Sequence, residues 1–229
     1  MPLSRNAHRA GPGAEPVITL YHCRDARSFR ALWMLEELEL PYRLELLRFP
    51  PRVRDKAYLE INPLGTIPLL IDGDTRMTES AAICEYLATL YGEGRLAVAP
   101  GAPGYGAYLN ALHQGEATLT FPQALVLRYS MLEPQERRQP QVAEDYKRWF
   151  LGRLRAIEAL VEREFFLVDG RFTAADVSVG YALMLAEAIG LGAELPPATA
   201  AYWRRLSERD GFARAKAAQI RPTEPRPAD

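Results

Sequence analysis

VITLYHCRDARSFRALWMLEELELPYRLELL, residues 17–47, reads as a strand, a helix and a second strand. Residues 17–22 are β-branched and aromatic, the composition of a strand. Phe29, Leu32, Trp33 and Leu35 then recur at helical spacing, with Asp25 placed to cap the helix and Pro41 to end it. Residues 42–47 supply the second strand. Two strands joined through a helix imply parallel pairing and a right-handed crossover.

Working outward, residues 52–60 form a short charged helix or loop, and IPLLI, residues 67–71, a buried strand. Asp72-Gly73-Asp74 is a hairpin turn that returns as a strand over residues 75–78. A helix over residues 80–91 carries Ile83, Leu87 and Leu90 on one face. The following segment, GEGRLAVAPGAPG at 92–104, is rich in Gly, Pro and Ala and reads as a linker. Beyond it strand signals nearly vanish. Helices are expected over residues 105–132, 142–164 and 200–216, with a polar, Pro-bounded loop at 133–140. Another helix opens at Phe172-Thr173-Ala174-Ala175-Asp176, where Thr173 and Asp176 form a capping box and Phe172 and Val177 a hydrophobic staple. The fold class is α/β followed by all-α: a βαβ–ββα half, then a helical half. The expected divisions are a disordered leader at 1–16, a first domain at 17–92, a linker at 93–104, a helical domain at 105–220 and a flexible tail at 221–229.

Composition narrows the function. Lys plus Arg number 28 against 29 Asp plus Glu, so the chain lacks the basic excess of a protein that neutralises phosphates, and no nucleic-acid partner is expected. No apolar run reaches the roughly 18 residues of a membrane span, and no membrane partner is expected. Two cysteines, Cys23 and Cys84, cannot build a disulfide framework. The first sixteen residues have no apolar core and are not a secretory signal. Together these point to the cytoplasm. With three His and no acidic partner at ligand spacing, no metal site is expected.

Two local features carry chemistry. Pro68 enters what otherwise reads as an interior strand, where its missing N–H is a defect. Either it lies on a sheet edge, or a cis Ile67–Pro68 bond exposes the backbone of Ile67 to pair with an extended peptide ligand. Eleven residues on, Glu79-Ser80 stands at a helix start, where free N–H groups and the dipole favour an anion. Ser80 can add a hydroxyl for a carboxylate, and Glu79 can pair with an ammonium, so the two form a receptor for an α-amino-acid head group. Ordinary helix capping is the alternative.

Asn62-Pro63-Leu64-Gly65-Thr66-Ile67-Pro68, then Thr78-Glu79-Ser80-Ala81-Ala82-Ile83, closely resembles the glutathione-binding half of cytosolic glutathione transferases. Leu20-Tyr21 followed by Arg30-Ala31-Leu32-Trp33-Met34-Leu35-Glu36-Glu37-Leu38 is similar to that family as well, as are Phe172-Thr173-Ala174-Ala175-Asp176 and Glu208-Arg209-Asp210-Gly211-Phe212. The resemblance implies a thioredoxin-like N-terminal domain and a C-terminal helical domain that builds the acceptor pocket. It implies glutathione as co-substrate, bound by Thr66, Ile67, Pro68, Glu79 and Ser80: the Ile67 backbone, before a cis Pro68, grips the cysteinyl part, and Glu79 and Ser80 hold the γ-glutamyl head. Thr66 replaces the Lys or Arg frequent in the family, so Arg52, Arg54 and Lys56 are substitutes for binding the glycyl carboxylate.

The implied reaction activates a thiol for attack on a small hydrophobic electrophile or a peroxide, a detoxification chemistry. Where many members carry Ser or Cys, this chain has Ala26. The candidates to stabilise the thiolate are the Tyr21 hydroxyl, the charge of Arg24 or Arg27, the backbone N–H of Ala26 or Arg27, and Ser28. Arg30 reads as a packed structural arginine and Cys84 as a small buried hydrophobe. His113, Gln114, Ala117, Phe121 and Tyr129 can line the acceptor pocket, though His113 also reads as a hydrogen-bonded structural residue and Phe121, with Tyr105 and Tyr108, as core or interface. A homodimer is implied. Two other functions stay open: a member that binds glutathione without catalysis, and a glutathione-dependent thiol reductase using Cys23.

Overall fold

The computed structural model describes residues 18–220, so the expected leader, Val17 and the expected tail at 221–229 lie outside the described residues. Strand β1 (Ile18–His22) is interior to a four-stranded sheet of order β2-β1-β3-β4. It pairs parallel with β2 (Tyr42–Leu46), Ile18 opposite Tyr42, and antiparallel with β3 (Leu69–Asp72), Tyr21 opposite Leu69. Gly73, at φ +54°, turns β3 into β4 (Thr75–Met77). Along β1 the buried Ile18 and Leu20 alternate with the half-buried Thr19 and Tyr21, as a pleated strand requires. Leu20 joins one core with α1 (Phe29–Glu37), while Tyr21 meets Tyr58 on the opposite face. Two short helices, α2 (Pro51–Arg54) and α3 (Tyr58–Ile61), bridge β2 and β3, and α4 (Ser80–Tyr91) follows β4.

The second half is helical. α5 (Tyr105–His113) runs through a π-helical turn (Gln114–Thr120) into α6 (Phe121–Leu127) and a second π turn (Arg128–Leu132). α7 (Pro140–Val161) buries Phe150, Leu154, Ile157 and Val161, the face its sequence spacing predicts. α8 (Ala174–Ala188) is buried along most of its length and opens with the Thr173–Asp176 capping box. α9 (Pro197–Ser207) and α10 (Asp210–Ala218) close the chain.

Several expectations need correction. Asp25 does not cap α1: its φ is +54°, its carboxylate accepts from Lys216 and Gln219, and Ser28 takes the cap position. α1 ends at Glu37, before Pro41, because Glu39 turns the chain at φ +53°. The strand expected over 67–71 starts two residues later, since Pro68 has no N–H for the ladder. The single helix expected over 200–216 is two, broken where Arg209 is extended and its guanidinium grips Glu37 through two 2.8 Å bonds.

Candidate active site

The candidate residues gather where β1 runs into α1, β3 begins and α4 starts. The Ile67–Pro68 bond is cis. Among the described residues, neither the N–H nor the C=O of Ile67 has a partner. The carbonyl of exposed Thr66 accepts from the Tyr58 hydroxyl at 2.8 Å and Asn62 Nδ2 at 2.9 Å, which fixes the approach to Ile67.

Glu79 precedes the first turn of α4, exposed, with no ion-pair or hydrogen-bond partner for its carboxylate among the described residues. Ser80 beside it is buried, and its Oγ accepts from Nη1 of Arg30 at 3.2 Å. Accepting there leaves the Ser80 proton free to donate. Arg30 is fully buried and is satisfied as a buried cation must be. Nε donates to the Ser178 carbonyl at 3.1 Å, and Nη2 to the Gly115 carbonyl at 2.9 Å and Thr120 Oγ1 at 2.6 Å. Nη1 also meets Glu116 Oε2 at 2.5 Å, and the guanidinium lies 4.3 Å from the ring centre of Tyr181. Arg30 is therefore a brace between the halves, and it reaches the head of α4 as well.

The loop from Cys23 to Ser28 carries most of the candidate thiol-stabilising groups. The Ala26 N–H is already given to the Cys23 carbonyl at 3.1 Å, whereas the Arg27 N–H has no acceptor among the described residues. Ser28 is fully buried: its hydroxyl donates to His22 Nδ1 at 2.7 Å and accepts from the Cys23 N–H at 3.3 Å. On its other side His22 Nε2–H donates to Gln219 Oε1 at 3.0 Å, and burial lowers the ring's pKa to about 4, so it is neutral at pH 7. The Cys23 thiol is fully buried, and burial, aided by the charge of Asp55, pushes its pKa up to about 12. Such a thiol is protonated at neutral pH and closed to a disulfide partner, which opposes the thiol-reductase reading.

Tyr21 is half-buried, its ring 5.4 Å from that of Tyr58, and its hydroxyl has no partner among the described residues. It lines a cleft of about 270 Å³ together with Leu47, Arg54, Lys56 and Tyr58. Asp55, at the same cleft, is bound by Arg48 at 3.1 Å, and the side chains of Arg54 and Lys56 have no acidic partner among the described residues.

The five residues expected at the acceptor pocket lie along the α5–α6 run and its second π turn. His113 and Ala117 are exposed, and Gln114 and Tyr129 half-buried. The His113 ring makes no hydrogen bond among the described residues, so it is not the structural histidine its sequence context suggested. Phe121 is 53% exposed and edges against Tyr146, so it is not core, whereas Tyr108 is. Cys84 is buried as expected. Among the described residues no His, Cys, Asp or Glu cluster could hold a metal, and no helix is long and apolar enough to cross a membrane.

The sequence reading missed two residues. Glu116 sits in a polar stretch of helix where nothing separates it from a solvated carboxylate. Gln219 lies 194 residues from the Asp25 it holds, and local pattern carries no signal over that separation.

A four-stranded mixed sheet with its helices, followed by a helical domain, defines the class: a thioredoxin-like domain with a helical domain attached. Residues 26–90 match the family model for the glutathione S-transferase N-terminal domain. The chain is 41% identical over 81 residues to glutathione S-transferase 3 of Schizosaccharomyces pombe, a match covering 33% of this chain and spanning 31% of that relative. It is 28% identical over 200 residues to glutathione S-transferase A of Pleuronectes platessa, covering 86% of this chain and 89% of the relative. Among solved structures it is similar to the glutathione transferase URE2P6 of Phanerochaete chrysosporium, in complex with oxidized glutathione. That match has a TM-score of 0.78 and 29% identity and covers 89% of this chain and 96% of the other. The chain is thus similar to glutathione transferases, in sequence over its N-terminal domain and in fold over the described residues.

Proposed function

We propose that the chain is a glutathione transferase that activates the glutathione thiol for attack on a small hydrophobic electrophile or a peroxide. The observation that carries this reading is the pairing at the head of α4. Ser80 presents a hydroxyl whose oxygen is held by buried Arg30, and Glu79 beside it is an exposed carboxylate with no cation of its own. An α-amino acid head group, negative and positive together, complements that pair, and the first-turn N–H groups add to it. The unpaired N–H and C=O of Ile67 suit the cysteinyl backbone as a short added strand does. Arg54 and Lys56 beside Tyr21 suit the glycyl carboxylate. The URE2P6 structure, which holds oxidized glutathione, supports the same ligand here.

Catalysis then requires stabilising a thiolate. Lowering a thiol from its usual pKa near 8.5 by two units takes about 2.7 kcal/mol of preference for the anion. One charge-assisted hydrogen bond at a helix start is of that size. Ala26 has no hydroxyl and its N–H is spent, while Ser28 is spent on His22. The Arg27 N–H and charge, with the Tyr21 hydroxyl, are the groups that remain. The thiolate attacks the electrophilic carbon, the leaving group departs with its electron pair, and the thiol proton passes to solvent. A homodimer in the cytoplasm is part of this proposal, as is the division into a first domain at 17–92, a linker at 93–104 and an acceptor domain at 105–220.

Calorimetric titration with glutathione, beside conjugation of 1-chloro-2,4-dinitrobenzene, tests it. Wild-type protein is expected to bind and turn over, and Glu79→Ala and Ser80→Ala each to weaken binding by about tenfold. Binding by wild type with no turnover of any acceptor, restored by Ala26→Ser, selects instead the non-catalytic binding protein, a reading favoured by the occupied Ser28 and the hydroxyl-free Ala26. No binding at all overturns both.

A further inference from the structure

Resting on that reading, we propose that Glu116, from the helical half, is a positioning residue for both ends of the glutathione site. Its two carboxylate oxygens go to two different arginines of the first half. Oε1 accepts from Arg27 Nε at 2.5 Å and Oε2 from Arg30 Nη1 at 2.5 Å. The same Arg30 nitrogen reaches Ser80 Oγ, so one oxygen of Glu116 acts on the head-group end. Arg27 follows Ala26 directly and brings the unpaired N–H, so the other oxygen acts on the thiol end.

The cluster is charge-asymmetric. Two guanidiniums share one carboxylate, which leaves the three-residue cluster with a net positive charge. Arg30 is enclosed and could not leave its site, but the Arg27 side chain is 37% exposed and Glu116 26%. Without its anchor Arg27 gains more by turning to water than by staying over the loop. Other titratable groups face the cluster from neighbouring elements: Asp25, held by Lys216 of α10, with Arg24 beside it, the neutral Tyr181 hydroxyl of α8, which donates to the Asp25 carbonyl, and the buried Cys84 thiol of α4, near Arg30. None of these contacts Glu116 by hydrogen bond or ion pair among the described residues. The carboxylate thus holds a partly exposed cation and supports a buried one.

The test compares wild type, Glu116→Gln, Arg27→Gln and the double variant in glutathione KM, in the pH profile of kcat/KM and in melting temperature. In E116Q the amide oxygen can accept from one arginine and its NH2 repels the other. Expected are a rise of about tenfold in glutathione KM and a rise of about one unit in the apparent thiol pKa, because Arg27 is released. R27Q should reproduce the pKa rise, and the double variant should add little to it. A lower melting temperature with unchanged KM and pH profile means that Glu116 only braces the fold and overturns the proposal. A fall in thiol pKa overturns it too, since the lost carboxylate charge would then outweigh the lost position. Additive effects in the double variant likewise overturn it. If E116Q does not fold, Glu116→Asp takes its place: it keeps the charge but spans only one arginine, and the same coupling is expected. Absence of glutathione binding by wild type overturns the underlying reading; wild-type binding with insensitive Glu116 variants overturns this inference alone.

Discussion

Cys23 lies three residues ahead of Ala26, close enough in sequence to suggest thiol chemistry, but its side chain, one residue past β1, is fully buried. Cys84 is fully buried as well, and burial pushes both thiols up to about 12. Native protein at pH 8 should therefore leave both of its cysteines unreacted with a thiol reagent over minutes, and release both in denaturant. Fast modification of Cys23 in the native state would revive the thiol-reductase reading. His22 makes a second prediction at this scale. Its folded pKa, about 4, lies below the ordinary 6.5, so the unfolded chain takes up the proton first as pH falls. The stability this neutral ring contributes is complete above about pH 6.5 and is lost as pH drops toward 4. The integrated loss is about 3 kcal/mol, of which about 2 kcal/mol falls between pH 7 and 5. Urea unfolding at several pH values should show that slope, and His22→Gln should flatten it.

At the scale of elements, the turn between α5 and α6 shows what sequence pattern can and cannot carry. The apolar spacing over residues 105–132 predicts one continuous helix, and the chain is helical throughout. The widening to π geometry at Gln114–Thr120 is not visible in that spacing, because its causes are Pro122, which lacks an N–H for the preceding turn, and tight contact with α8. A Cβ on Gly115 would lie 2.4 Å from Ser178 Oγ and 2.5 Å from Ser178 carbonyl carbon. The widened turn also directs the Gly115 carbonyl to Arg30 and sets Glu116 between its two arginines. Gly115→Ala should then cost about 1–3 kcal/mol in stability by forcing α8 away. It should weaken glutathione binding in the same protein, whereas an overpacked site far from the cleft would lower the melting temperature alone. The capping box at Thr173 is the opposite case: both partners lie three residues apart, so the local sequence contains the whole device. The Glu79-Ser80 and Ile67-Pro68 pairs were legible for the same reason, while the buried guanidinium behind Ser80 comes from 50 residues away and was not.

Across the whole molecule the two halves share one core, and that limits how either can behave alone. Trp33 of α1 is fully buried, and beyond α1 itself it packs on the second half: Phe172 at 6.2 Å, Phe212 at 5.0 Å, and Gly180, where a Cβ would come within 2.9 Å of the indole. Its indole N–H donates to Glu37, which Arg209 grips in turn while lying 3.6 Å from the Phe172 ring centre. At the chain's other end Gln219 and Lys216 return to His22 and Asp25, closing the structure onto the loop that carries Ala26 and Arg27. A division into strand-bearing and helical halves, read from the sequence, therefore does not imply two folding units. The full chain should melt in a single transition with coincident far- and near-ultraviolet signals. Trp33→Ala should destabilise both halves together by about 3–5 kcal/mol. A fragment ending near residue 100 would expose the indole and leave the Arg30 guanidinium without Glu116, Gly115, Thr120 and Ser178. It should fail to give a cooperative transition. Two resolved transitions in the full chain, or a folded fragment with a dispersed spectrum, would show that the shared core is not what holds the first half in shape.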